Sequence, residues 1–160
     1  MGYNRLSKGK VLLGRMVTPM GWQVQATTLT NAQIKALRAT PVTIVSAPGA
    51  GRVLVLHRYA AFLKAGTNVL TESAANLDFR YVGVASPVLG TLEATGFIDQ
   101  SVSTMTQGIV AQDKIVAKSN CDNKGIEVFN NGAGEYAGNA AADATMVVVA
   151  WYSITPAGGW

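Results

Sequence analysis

The stretch PVTIVSAPGAGRVLVLHRYAAF, residues 41 to 62, decides how the rest of the chain reads. Val42 to Val45 is a short β-branched run, Ala47 to Gly51 carries Pro48 and two glycines, and Arg52 to Phe62 is a long run rich in Val, Leu and Tyr. Two such runs flanking a Pro/Gly turn predict a β-hairpin. A strict two-residue period in the second run puts Val53, Val55, His57 and Tyr59 on one face and Leu54, Leu56, Arg58 and Ala60 on the other. Both faces start apolar, so this strand is expected in the middle of a sheet.

Moving toward the C-terminus, Leu77, Phe79, Tyr81 and Gly83 alternate with Asp78, Arg80, Val82 and Val84, the period of a half-buried strand. Shorter apolar runs follow at Val88 to Leu92, Ser101 to Met105, Lys114 to Ala117 and Ile126 to Phe129. The last, Thr145 to Ile154, is strongly β-prone through Val147, Val148, Val149, Trp151 and Tyr152. Many short strands separated by Gly, Asn and Pro turns predict a mainly β protein, an antiparallel β-sandwich or jelly-roll.

Toward the N-terminus, one short helix is expected near residues 30–38. Thr30 can cap it, Gln33 can return the bond, Leu29 can clasp Ile34, and Thr40-Pro41 stops it. Ile34 and Leu37 then share a face. Residues 1–21 show no clear period and hold Gly2, Gly9, Gly14, Pro19 and Gly21, so they read as an extended basic arm ahead of a single domain at residues 22–160.

At 160 residues and 16.7 kDa the chain is long enough for one core without disulfides. Charged residues make up 14%, against roughly a quarter in an average soluble domain, so part of the apolar surface is expected to be covered by other subunits. Charge is also polarised along the chain. Arg5, Lys8, Lys10, Arg15, Lys35, Arg38, Arg52, Arg58 and Lys64 all precede Glu72, the first carboxylate, while the whole chain carries +4. Such a field steers the molecule toward an acidic partner. Cys121, in a polar stretch, has no second cysteine to pair with, which fits a reducing compartment. Arg15 interrupts the run Val11 to Leu13 before it resembles an export signal, and no apolar run approaches the ~18 residues that span a bilayer.

With one His and one Cys, a His-centred triad or metal cluster lacks its parts, and no cofactor is expected. His57 has no carboxylate near it in sequence, and the nine acids are scattered singly; an enzyme is not expected. Asn130 to Gly138 spaces its glycines G-x-G-x-x-x-G with no Lys-Ser/Thr behind them, which is a surface loop rather than a phosphate cradle. The arm residues Arg5, Lys8, Lys10 and Arg15, with Trp22 as an apolar anchor, are the candidate docking set. A basic patch without a recognition helix or interleaved aromatics reads against nucleic acid as the partner and toward a protein surface. Trp22, Trp151, Tyr152 and Trp160 are candidate stacking platforms for a glycan, Trp151 being expected in the core.

The segments TLTNAQIKAL (28–37), TPVTIVSAPGAGRVLVLHRYAAFLKAGT (40–67) and VFNNGAGEYAGNAAADATMVVVAWYSI (128–154) resemble small virion proteins of tailed bacteriophages, the capsid decoration or cement proteins. The resemblance covers most of residues 29–155, marks a fold lineage and carries over no catalytic residue. It implies a β-sandwich or jelly-roll module that sits as a homotrimer on the capsid exterior and bridges major capsid protein subunits. The protein would be made in the host cytoplasm and end in the virion. Related modules occur in head fibres and tail accessories, where a host receptor or glycan would be the partner.

Overall fold

The computed structural model describes residues 16–17, 21–72, 76–110 and 115–157. Two antiparallel sheets pack face to face. The larger runs in the order β1 (Met16–Val17), β2 (Gln23–Leu29), β11 (Thr145–Pro156), β4 (Arg52–Lys64) and β8 (Thr104–Ile109). The smaller runs β3 (Val42–Val45), β9 (Ile126–Asn130), β6 (Leu77–Tyr81) and β7 (Gly90–Leu92), and a two-stranded ribbon pairs β5 (Leu70–Thr71) with β10 (Ala137–Gly138). From β2 onward through the two main sheets, each connection crosses to the opposite sheet except β6 to β7, which are neighbours. Two interlocked Greek keys of this kind make a jelly roll. The expected fold class is therefore the observed one, with two short helices, α1 (Asn31–Lys35) and α2 (Lys118–Cys121), instead of one.

The expected hairpin at 42–62 is not formed. β3 pairs with β9, whereas β4 lies between β11 and β8. A two-residue turn would have forced pairing, but the connection from 46 to 51 is long enough to cross the roughly 10 Å between packed sheets. It is pinned as an arch: Gly49 N–H donates to Asn123 Oδ1 at 2.9 Å, Gly51 N–H to Asp122 Oδ1 at 3.0 Å, and Ala157 N–H to the Gly51 carbonyl at 2.7 Å. The central position expected for β4 is observed.

The strict alternation expected along β4 also fails. Trp151 of β11 lies opposite Arg58, yet the next residue, Tyr152, lies opposite Leu56. His57 is the extra residue of a β-bulge, and the strand changes phase there. Leu54 and Leu56 point inward before it; Tyr59, Ala61 and Leu63 point inward after it, so Tyr59 joins the face opposite to the one a fixed period assigns.

Tyr59 joins the two sheets. Its ring stacks on Phe79 of β6 with centroids 4.4 Å apart, and its hydroxyl accepts the Thr91 N–H at 3.1 Å beside the carbonyls of Thr91 and Ile109. Gly90 and Gly108 line opposite sides of the ring, and a methyl group at either would fall inside its van der Waals surface. Around it lie the fully buried Leu54, Leu77, Phe79, Ile126, Met146 and Val148. Tyr81 donates to the Leu54 carbonyl at 2.6 Å, and burial pushes its phenol up to about 12.

The capping box at Thr30 is present in both directions, and Leu29, Ile34 and Leu37 are fully buried as expected. The helix is shorter than 30–38. The Arg38 and Ala39 N–H groups donate instead to the Glu135 carboxylate at 2.9 and 2.7 Å, so the chain leaves the helix as turns. Of the other expected strands, Ser101 to Met105 begins only at Thr104 and continues to Ile109. Residues 115–117 of the 114–117 run form no strand, and Ile115 is 95% exposed. A side chain with no covering layer gains nothing from β pairing.

Candidate functional site

The chain's charge polarity becomes a difference between sheets. β1, β2, β4, β8 and β11 contain Arg52, His57, Arg58 and Lys64 and no Asp or Glu, whereas Asp78 and Glu127 both lie on the four-stranded sheet.

On the five-stranded sheet the register aligns outward-facing residues in rows. Thr28, Val147, Phe62 and Met105 form one; Ala26, Val149, Ala60 and Gln107 the next; Val24, Trp151, Arg58 and Ile109 a third. These alternate with the buried Met146, Val148 and Ala150, which face the core. Phe62 is 41% exposed, Met105 51% and Ile109 72%. These exposed apolar side chains share the sheet's outer side with Arg58.

The bulge shapes the end of this surface. By adding one residue it turns both His57 and Arg58 outward. Trp22, just ahead of β2, stacks on the His57 ring at 4.5 Å with planes 10° apart, and His57 Nε2 lies 2.9 Å from Ser153 Oγ. Burial lowers the His57 pKa, so the ring is neutral at pH 7. Arg58 sits 5.7 Å over the Trp151 ring and donates to Gln107 Oε1 at 3.3 Å. Sequence reasoning missed this cluster because it assumed one period; the available signal was that Leu54-Leu56 and Tyr59-Ala61-Leu63 are each in phase but one residue out of step.

The outer side of the four-stranded sheet is different in kind. Arg80 Nε meets Glu127 Oε1 at 2.7 Å, and the same guanidinium lies 3.7 Å over Phe129. Asp78, buried, accepts from Thr91 Oγ1 at 2.6 Å and Asn131 Nδ2 at 2.9 Å. Its charges find their partners within the molecule.

Between the sheets, where β3 and the start of β4 diverge, a cleft of about 430 Å³ is lined by Gln25, Thr27, Thr43, Arg52, Tyr152 and Ile154 among others. The glycine-rich segment 130–138 is the surface loop expected of it, ending in β10 and folded on Asn130, whose side chain bonds Gly132 N–H and the Gly134 carbonyl. Beside it, Asp143 accepts from Thr67 and Asn139, and these bonds hold its carboxyl at about 2. Cys121 is buried in α2 despite its polar neighbours in sequence, and burial pushes its thiol up.

Arg5, Lys8, Lys10 and Arg15 lie outside the described residues, as does Trp160. Trp22 does join the outer surface. The expectation for the remaining aromatics is reversed: Tyr152 is the core residue at 5% exposure, and Trp151 faces outward, half-buried. One residue of phase separates the two assignments. No described helix is long and apolar enough to cross a membrane.

No protein-family model matches the chain, and no curated protein does. Among solved structures it is similar to one described as "CBM4 structure and function", at 11% identity over 89% of this chain and 87% of that one, with a TM-score of 0.32. It is also similar to Tobacco streak virus coat protein in two structures. One matches at 9% identity over 85% of this chain and 90% of that one, the other at 11% over 85% and 89%, both with a TM-score of 0.21.

Proposed function

We propose that this protein is a virion structural protein that binds the exterior of a tailed-phage capsid as a homotrimer and stabilises the head by bridging major capsid protein subunits. The observation that supports this reading most is the outer face of the five-stranded sheet, which is apolar, carries Arg58 and Lys64, and has no carboxylate on any of its strands. Such a face gains free energy by leaving water and is steered toward an acidic surface. The role is non-catalytic: burial of seams between capsid subunits resists their separation. Three copies act together, so each contact can be weak while the assembly holds. This face docks without calling on Arg5, Lys8, Lys10 and Arg15, which leaves the arm for a separate contact.

Cosedimentation with empty heads assembled from the major capsid protein of the same virion tests the reading, at low and high salt and beside the protein's own mass by light scattering. The expected result is a trimer that pellets with heads and is partly released by salt. A protein that stays in the supernatant at every salt concentration overturns it. A second reading, a head-fibre or tail accessory module for a host-surface receptor or glycan, draws on Trp22 and Trp151 lying on one exposed face; binding on a glycan array in place of heads would favour it.

A further inference from the structure

Among the described residues the two main sheets have four edges, and they are not alike. β1 has two residues, β7 three, and β3 four with a register irregularity between Thr43 and Val45. β8 is the long one, six residues that among the described residues pair with β4 on one side only. Proteins commonly guard such an edge with Lys, Pro, an inward charge or a bulge. The β8 sequence Thr-Met-Thr-Gln-Gly-Ile has no charge and no proline, and its pairing with β4 is regular over its whole length. Val102, just before it, and Met105 and Ile109 within it are each more than half exposed.

Two acids belong to the segments around β8. Glu93 follows β7, which lies beside β8 across the Tyr59 hydroxyl, and Asp99 stands in the turn leading to β8. Both carboxylates are exposed, and neither forms an ion pair among the described residues. An uncharged strand edge with acids on neighbouring segments fits an extended segment with an apolar centre and basic flanks. The chain contains one: Val11, Leu12 and Leu13 follow Arg5, Lys8 and Lys10 and precede Arg15.

Placement supports the match. β1 is the edge strand at the opposite end of the same sheet from β8, and residues 1–15 precede it in the chain. Fifteen residues reach at most about 50 Å when extended, more than twice the roughly 20 Å length of a six-residue strand.

We propose that β8 accepts the N-terminal segment of a second copy, centred on Val11 to Leu13, as an added strand. The contact is head to tail: the β1 edge of one copy supplies the strand and the β8 edge of the next receives it, so a rotation that closes after three copies gives a ring without an exposed long edge. This rests on the trimer of the proposed function and specifies what holds it together. It assigns the arm's cations to the neighbouring copy's Glu93 and Asp99 and leaves capsid contact to the sheet face.

The test uses full-length chains carrying Cys121→Ser. One set carries Lys8→Cys, Lys10→Cys or Leu12→Cys singly, and the other carries Gln107→Cys, whose side chain is exposed on β8. After mixing, subunit exchange and mild oxidation, the expected product is a disulfide-linked pair of unlike chains for at least one arm position. A full set with no such pair overturns the proposal. Light scattering of a chain lacking residues 2–14, with circular dichroism reporting its fold, is the companion measurement. Folded monomers support the inference. A trimer as stable as the full-length one overturns it while leaving capsid binding intact, so its failure is distinguishable from failure of the capsid reading, which the cosedimentation reports.

Discussion

The two outer faces of this sandwich are both built from antiparallel strands and have opposite chemistry. On the four-stranded sheet Arg80, Glu127 and Phe129 satisfy one another, and Asp78 is held by Thr91 and Asn131. On the five-stranded sheet Phe62, Met105 and Ile109 stand exposed in rows with Arg58 and no acid. The difference teaches where each face's free energy is realised. The first contributes to folding of the single chain, and the second contributes only when another surface covers it.

That contrast is broken most severely by removing its self-contained half. Arg80→Ala leaves the Glu127 carboxylate, 8% exposed, without its cation, and a loss of about 3 kcal/mol in unfolding free energy is expected from the shift of a urea midpoint. If the loss is no larger than that of a surface pair, the four-stranded face is not self-satisfied and the comparison fails. Next comes the boundary between the sheets. Gly90→Ala pushes a methyl group against the Tyr59 ring, which its hydroxyl bonds keep from retreating, and a cost of about 1–3 kcal/mol should appear in thermal unfolding.

The five-stranded face should respond in the opposite sense. Ile109→Glu places a carboxylate on the acid-free sheet at a position 72% exposed, so stability should move by no more than about 0.5 kcal/mol. Binding to heads should nevertheless fall at least about tenfold, the equivalent of 1.4 kcal/mol. Unchanged pelleting would assign docking to another surface.

The smallest effects are those of pH. His57 has its pKa lowered by burial, so in the folded protein it protonates at a pH below 6.5, while the unfolded chain takes up the proton first. Stability is therefore full above pH 6.5 and declines as pH falls through the folded midpoint. Because Trp22 stacks on the ring, its fluorescence should be quenched with that same midpoint, and His57→Gln should abolish the titration. Asp143, held at about 2, behaves as a depressed carboxylate: its contribution is present above the ordinary value of 3.8 and disappears as pH falls toward 2, which carboxyl NMR shifts would follow.

Much of the fold was legible where local chemistry and tertiary context agree. The capping box needs only Thr30 and Gln33, and β6, β9 and β11 announce themselves by alternation or β-branched runs. β2 was invisible as a strand because its inward positions Gln23, Gln25 and Thr27 are polar: Thr27 donates across the sandwich to the Ile44 carbonyl at 3.2 Å, and Gln25 lines the cleft, so no apolar period marks the buried side. The arch at 46–51 was read as a hairpin because Pro and Gly signal a change of direction and say nothing about which sheet the chain enters. For the site, the absence of acids before Glu72 pointed to an acid-free region of surface. It could not say that β8 and β11, far later in the chain, complete the same acid-free surface.

The extra residue at His57 makes β4 two half-strands written in different frames. Deleting that one residue would bring the halves into a common frame with Leu54, Leu56, Tyr59, Ala61 and Leu63 all facing the core, whereas regular pairing of the present sequence would turn one half's inward residues out to water. A relative that lacks the extra residue can therefore keep the same apolar residues along both halves and differ from this strand by a one-residue gap. Kinship with such a protein is to be sought by aligning the two halves separately, with the gap falling at His57.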